Sequence, residues 1–321
     1  MNVVCARSVA HWQSGNMGGT WAAHGRHTRC GASVIRQMQV DGRTIAYLDE
    51  GSGPPVILLH CSSASHRMWS PLVTQLARRH RVLAPDLHGY GQSYAWPRHA
   101  QLGAHTDAGI VLALADLVNA PVQLVGHSYG AAVALQASRQ LGARVRSLTL
   151  IEPLAFQLLR QATPSAGWNE IASLSARVQQ AVATGHDADA AAIYMRYWIG
   201  AVRWWLMPKR ARRTIVGTMN KVAAEFAMIT SERASLDDFA NVVAPTRLIV
   251  GSRTRAPARA VVDALQEAMR HAHTVVVPRA GHMSPFTHAA IVHPLVVEHL
   301  DHTETPSVAD VRLRAEGRAV G

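Results

Sequence analysis

Apolar positions alternate between two rhythms from about residue 39 to about residue 302. Short, continuously apolar runs such as PPVILLH (54–60), PVQLVGH (121–127) and PTRLIVGS (245–252) predict strands buried on both faces. RTIAYLDEG (43–51), RVLAPDLHG (81–89), RVRSLTLIEP (144–153) and HTVVVPRAGH (273–282) add four more. Between them, SPLVTQLARR, TDAGIVLALADLV, residues 128–141, APARAVVDALQEAMR and HAAIVHPLVVEHL have helical spacing. Thr106 is placed to cap the second of these helices. Strands separated by helices predict an α/β fold: a mostly parallel sheet flanked by helices on both faces.

The alternation stops between Pro153 and about Val243, where only helical spacing occurs. Tyr194, Trp198, Ala201 and Trp205 fall near one face of a predicted helix that Pro208 would end. Four of the eight tryptophans (Trp168, Trp198, Trp204 and Trp205) lie in this stretch. They can pack the insertion onto the main domain. Trp198 and Trp205 can equally face a substrate from an insertion lying above the sheet.

Composition narrows the classes. The 321 residues, 48% hydrophobic, suit one α/β domain with an insertion, or two domains. Boundaries are expected as a loose extension over 1–38, a core over 39–153 and 244–302, a helical insertion over 154–243, and a polar tail over 303–321. No apolar run reaches the roughly 18 residues that cross a bilayer, and no membrane partner is expected. Cys5, Cys30 and Cys61 are too scattered for a disulfide framework or a zinc site, so a cytoplasmic location is expected. The formal charge of +11 is spread along the chain, without a nucleic-acid motif. Its densest group, KRARR (209–213), reads as a solvated helix face. No nucleic-acid partner is expected.

Chemistry enters at PVQLVGHSYGAAVALQAS (121–138). Gly126-His127-Ser128-Tyr129-Gly130 stands where a buried strand gives way to a helix. Gly-x-Ser-x-Gly there makes a turn so tight that the flanking residues must be small, and it lifts the serine above the sheet edge. The first helical N–H groups stay free to face a developing negative charge. A small residue easing a sharp turn would give the same letters, but the strand-to-helix context points to a nucleophile.

Together, LLHCSSASHRMW, VLAPDLHGYGQS, LVGHSYG and VPRAGHMSPFTH, in this order, resemble the α/β-hydrolase superfamily in its serine-nucleophile, cap-containing branch. The resemblance runs from about Met38 to His302. It implies the α/β-hydrolase fold, with the helical insertion after the sixth strand as its cap. By resemblance, Ser128 is the nucleophile and His282, in the loop after the last strand, its base. The oxyanion donors are the backbone N–H of Tyr129 and of Ser62. The family usually has His-Gly where this chain has His60-Cys61, and cysteine accepts unusual backbone angles less readily than glycine. Cys61 could be a reactive thiol or a small buried filler. Asp86 matches a structural aspartate. His127 reads as a spacer in the elbow.

The triad acid departs from the pattern. The loop GSRTRAPARA (251–260), where most relatives carry an aspartate, has no acidic residue, and the next acid, Asp263, sits inside a helix. Glu152 stands one strand earlier, at the end of SLTLIEP beside the elbow, and fits the order Ser128, Glu152, His282. Glu152 could instead cap or pair with the insertion.

With serine at 128, haloalkane-dehalogenase and epoxide-hydrolase chemistry, which needs a carboxylate nucleophile, is set aside. The expectation is a hydrolase of a small-molecule ester or related acyl substrate acting through an acyl-enzyme. The same residues would serve a carbon–carbon bond hydrolase, an acyltransferase or a non-catalytic ligand-binding homologue. No metal or organic cofactor is implied.

Overall fold

The computed structural model describes residues 34–161 and 165–304. The expectations for residues 1–33 and 305–321 lie outside the described residues. Eight strands form one sheet in the order β1-β2-β4-β3-β5-β6-β7-β8. They are β1 (Val34–Val40), β2 (Arg43–Gly51), β3 (Pro55–Leu59), β4 (Arg81–Pro85), β5 (Val122–His127), β6 (Val145–Ile151), β7 (Thr246–Gly251) and β8 (Ala272–Val277). The β1–β2 and β2–β4 pairs are antiparallel and all others parallel.

The connecting helices are α1 (Ser70–Leu76), α2 (Ala108–Val118), α3 (Tyr129–Leu141) and α4 (Gln157–Gln161). The insertion holds α5 (Ala166–Ala183), α6 (Asp187–Ile199), α7 (Ala201–Leu206), α8 (Lys209–Val216) and α9 (Met219–Ser231). After it come α10 (Asp237–Ala240), α11 (Ala256–Ala268), α12 (Ser284–Thr287) and α13 (Ala289–Glu304).

Alternation along the strands fills two separate cores. Ile57 and Leu59 of β3 join the side covered by α2, α3 and α11, with Ile110, Leu135 and Val262. Val56 and Leu58 join the opposite side, covered by α1 and α13, with Leu72, Val296 and Leu300. A strand buried on both faces therefore reads as an unbroken apolar run. The insertion has a third core of its own, including Leu174, Val178, Tyr194, Ile215 and Phe226.

Four local expectations are revised. Val34–Met38, read as the end of a loose extension, belong to β1, an exposed edge strand whose alternation is too polar to read as buried. Thr106 does not cap α2, whose N-cap position is Asp107; the Thr106 hydroxyl accepts from the Gly103 N–H instead. The helix expected through Tyr194 and Trp205 is broken by Gly200, at φ 83°, which separates α6 from α7. A left-handed φ there suits glycine and ends the shared face. At the far end, α13 runs to Glu304, beyond the expected boundary at 302.

The strand order places the site. The connection from β3 to β4 moves one way across the sheet, and the connection from β4 to β5 returns past β3. The carboxyl ends of β3 and β5 thus flank the point where the winding reverses, where open α/β sheets form a crevice. The residues after β3, β5, β6 and β8 all reach this edge.

Candidate active site

Ser128 sits between β5 and α3 at φ 58°, ψ −117°, a conformation that costs an L-residue free energy on the order of 1–3 kcal/mol. The turn closes only because Gly126 and Gly130, two positions before and after the serine, lack side chains. A Cβ on Gly130 would lie 2.4 Å from the carbonyl oxygens of Leu59 and His60, and one on Gly126 would lie 2.4 Å from the Gly130 carbonyl oxygen. Gly130→Ala is therefore expected to destabilise the fold by about 3 kcal/mol through overpacking, measured as a shift in urea unfolding. Ser63, Glu152 and Arg279, in three other loops at this edge, also have positive φ. Strain is concentrated where these loops converge.

Ser128 Oγ lies 2.8 Å from His282 Nε2, and His282 Nδ1 lies 2.8 Å from Glu152 Oε2. All three residues are buried. Glu152 accepts two further hydrogen bonds, from the Gly251 N–H at 2.9 Å and from the Thr254 hydroxyl at 2.5 Å. Burial alone would raise its pKa, but the bonds from His282, Thr254 and Gly251 prevail and hold it below the usual carboxylate value. An ionised carboxylate can only accept, so Nδ1 carries the imidazole proton and Nε2 is free to accept from the Ser128 hydroxyl. Thr254 lies in the acid-free loop after β7 and supplies a donor there.

Two neighbours hold the imidazole. The Trp198 ring stacks on it, with centroids 3.8 Å apart and planes inclined by 24°. From the elbow, His127 Nε2–H donates to the His282 carbonyl oxygen at 2.8 Å. Burial pulls the pKa of His127 to about 3, so it stays neutral and keeps this donor. The residue read as a spacer thus ties the Ser128 turn to the His282 loop. Trp198→Ala is expected to lower kcat about tenfold with KM changed less, because misplacing a catalytic group by an ångström can cost up to about a hundredfold. Steady-state kinetics on a short ester would show the split.

Backbone N–H groups at Ser62 and Tyr129 take part in none of the backbone–backbone hydrogen bonds outside the helices and strands. The peptide before Ser62 is set by His60, whose Nδ1–H donates to the Cys61 carbonyl at 2.8 Å while its Nε2 accepts from the Leu87 N–H. Cys61 is not among the positive-φ residues; Ser63 takes that conformation instead, at 58°. The loop therefore accommodates cysteine without glycine's freedom. Burial pushes the Cys61 thiol up to about 12, which leaves it protonated and poorly nucleophilic. Asp86 is buried in a turn, accepting from the His66 N–H, His66 Nδ1–H and the Gln92 N–H.

A buried charged network lies beneath the Ser62 loop. Lys221 of α9 donates to Asp107 at 2.7 Å and to Glu225 at 3.1 Å. Glu225 accepts from the Ser62 hydroxyl at 2.5 Å and the Tyr90 hydroxyl at 2.6 Å, while Asp107 accepts from Tyr129 and His88. Burial would lower the pKa of Lys221, but its two carboxylate partners hold it above the usual value. For Asp107 burial works upward, and Lys221 and His88 outweigh it, leaving it well below the usual range. Glu225 remains raised because burial prevails. In sequence, Lys221 and Glu225 look like an ordinary surface i,i+4 pair.

These shifts set an acid sensitivity. Asp107 and Glu152 have depressed folded values, so their contribution is present above about pH 4 and lost as pH falls through the folded values. His60 and His127, also depressed, act with the same sign from about pH 6.5 downward. Glu225 acts oppositely. The urea midpoint is expected to fall between pH 6.5 and pH 3.

A cavity of about 800 Å³ opens onto Ser128 and His282. Its walls are largely apolar, with Met68, Met195, Trp198, Ile199, Met207 and Phe286 among them. Trp198 lines it, whereas Trp205 is outside its lining and 73% exposed. Asp263 lies on the surface of α11, paired with Arg259, and the carboxylate on His282 Nδ1 is that of Glu152.

The alpha/beta hydrolase family model matches residues 56–294. The chain belongs to this family. Over 101 residues this α/β hydrolase is 42% identical to the pimeloyl-(acyl-carrier protein) methyl ester esterase of Methylococcus capsulatus, covering 32% of this chain and 37% of the relative. Over 128 residues it is 30% identical to the 2-hydroxy-6-oxo-2,4-heptadienoate hydrolase of Pseudomonas putida, covering 39% and 46%. The matched stretches thus span less than half the length of these curated relatives. A thermophilic esterase from Thermogutta terrifontis has the same fold, with a TM-score of 0.68 at 23% identity over 86% of this chain and 100% of the other. No helix among the described residues is long and apolar enough to cross a membrane.

Proposed function

We propose that this α/β hydrolase cleaves a small-molecule ester through an acyl-enzyme. The observation that carries the reading is the unbroken relay from Ser128 Oγ through His282 to Glu152, with both spacings 2.8 Å, at the floor of an apolar cavity. Attack by Ser128 on the substrate carbonyl passes its proton to His282 Nε2. The imidazolium is stabilised by Glu152 and by the stacked face of Trp198. Negative charge gathers on the carbonyl oxygen, within a hole formed by the N–H groups of Ser62 and Tyr129. His282 then protonates the leaving alcohol, and water, giving its proton to the same nitrogen, releases the acid.

The assignment of Ser128, His282 and Glu152 to these roles is supported by geometry, by tautomer and by the family's order of nucleophile, acid and base. The apolar walls favour an acyl or alkoxy group of moderate size over a highly charged substrate. Turnover of p-nitrophenyl esters with acyl chains of graded length tests this reading. Hydrolysis that rises to an optimum chain length and disappears in Ser128→Ala is expected. Chain-length-independent turnover retained by Ser128→Ala would assign the activity elsewhere.

A further inference from the structure

Helices α7 and α8 carry an unusual surface beside the cavity mouth. Val202, Trp205 and Leu206 of α7 are 70%, 73% and 65% exposed. Leu206 and Phe286 line the cavity yet are substantially exposed, so they mark its mouth. On α8, Ala211, Thr214 and Ile215 face the cavity, while Lys209, Arg210 and Arg213 are exposed to solvent. No aspartate or glutamate occurs between Asp189 and Glu225, and Glu225 is buried in the network beneath the Ser62 loop. Neither Arg203 of α7 nor the cations of α8 are in the ion pairs of the described residues.

Large apolar side chains rimmed by unpaired cations are the arrangement by which a peripheral segment lies in an anionic lipid interface. We propose that α7 and α8 dock this protein on an anionic lipid surface, turning the cavity mouth toward the acyl region. Three side chains projecting from a six-residue helix can sink into a fluid surface, whereas a rigid partner needs a matching pocket for each. A second copy packed about a two-fold axis would set this basic surface against itself. The residues outside the described ranges are net basic in sequence, six arginines against Asp310 and Glu316, and bring no net counter-charge. The docking is independent of the bond cleaved in the cavity.

Co-sedimentation of the full chain with vesicles tests it, using 30% phosphatidylglycerol in phosphatidylcholine against phosphatidylcholine alone. Binding to the anionic vesicles, weakened by high salt, is expected. Each surface cation removed should weaken it about fivefold, so Arg210→Gln with Arg213→Gln should lose about 25-fold. These two residues do not line the cavity, and short-ester turnover should be unchanged. Arg78→Gln with Arg270→Gln removes equal charge near the amino ends of β4 and β8, the opposite sheet edge, and should change binding little. Trp205→Ser should abolish any lipid-induced blue shift of tryptophan emission that the wild type shows. Equal losses from the two arginine pairs would reduce the effect to net charge and overturn the proposal. So would absent vesicle binding at low salt, including the case where an acidic protein binds the same surface. Vesicle binding retained by Ser128→Ala separates this result from the fate of the ester-cleavage reading.

Discussion

Glu152→Gln is expected to lower kcat by about 10⁴-fold, the scale seen when the acid of such a triad becomes its amide. The reason lies in the donors around the carboxylate. Gly251 N–H is a fixed backbone donor to Oε1, so the amide of a glutamine at 152 would turn its carbonyl oxygen toward Gly251. Its NH₂ would then face His282 Nδ1, and the Thr254 hydroxyl can rotate to accept. Nδ1 becomes an acceptor, the proton moves to Nε2, and Nε2 no longer accepts from Ser128. Folding should be little disturbed, since shape is kept. Asp263→Asn should leave kcat unchanged, because Asp263 is an exposed partner of Arg259 on α11. Steady-state kinetics on the two variants, with the reverse ranking, would reassign the acid.

Lys221→Met is expected to destabilise the fold by about 3–5 kcal/mol, the cost of stranding buried charge without its counter-ion. Asp107 and Glu225 would each lose the ammonium that offsets their burial. Glu225 would still accept from Ser62 and Tyr90, and Asp107 from Tyr129 and His88. Adding Asp107→Asn to Lys221→Met should recover part of the loss, because an amide is less costly to bury than an unpaired carboxylate. Urea unfolding of the single and double variants checks both statements. Additive losses would mean that the two residues do not interact. Because Ser62 hangs on Glu225, the same network joins α9 to the loop that presents the Ser62 N–H.

The fold was legible because its central strands, β3 to β7, are buried on both faces, so each stands out as an apolar run between helical spacings. β1 was not, since an edge strand with polar alternation resembles a loose chain. The elbow was legible from its glycines, whose absent side chains match backbone approaches of 2.4 Å. Glu152 could be considered because the following loop held no acid, yet its hydroxyl partner Thr254 carried no signal of its own. Trp198 stood out by residue type and by its place on a predicted helix face. Its contact with His282 depends on how α6 packs over the sheet, which helical spacing does not determine. The break at Gly200, which separates Trp205 from that face, needed only one left-handed residue. Lys221 and Glu225 were hidden because the same spacing serves surface helices.

Treatment of the folded chain with a fluorophosphonate probe, followed by mass-spectrometric peptide mapping, tests the central claim most directly. A single adduct on Ser128, formed in the wild type and suppressed when His282 is replaced by alanine, is the predicted result. An unlabelled Ser128 in the folded wild type, or labelling indifferent to His282, would contradict the account.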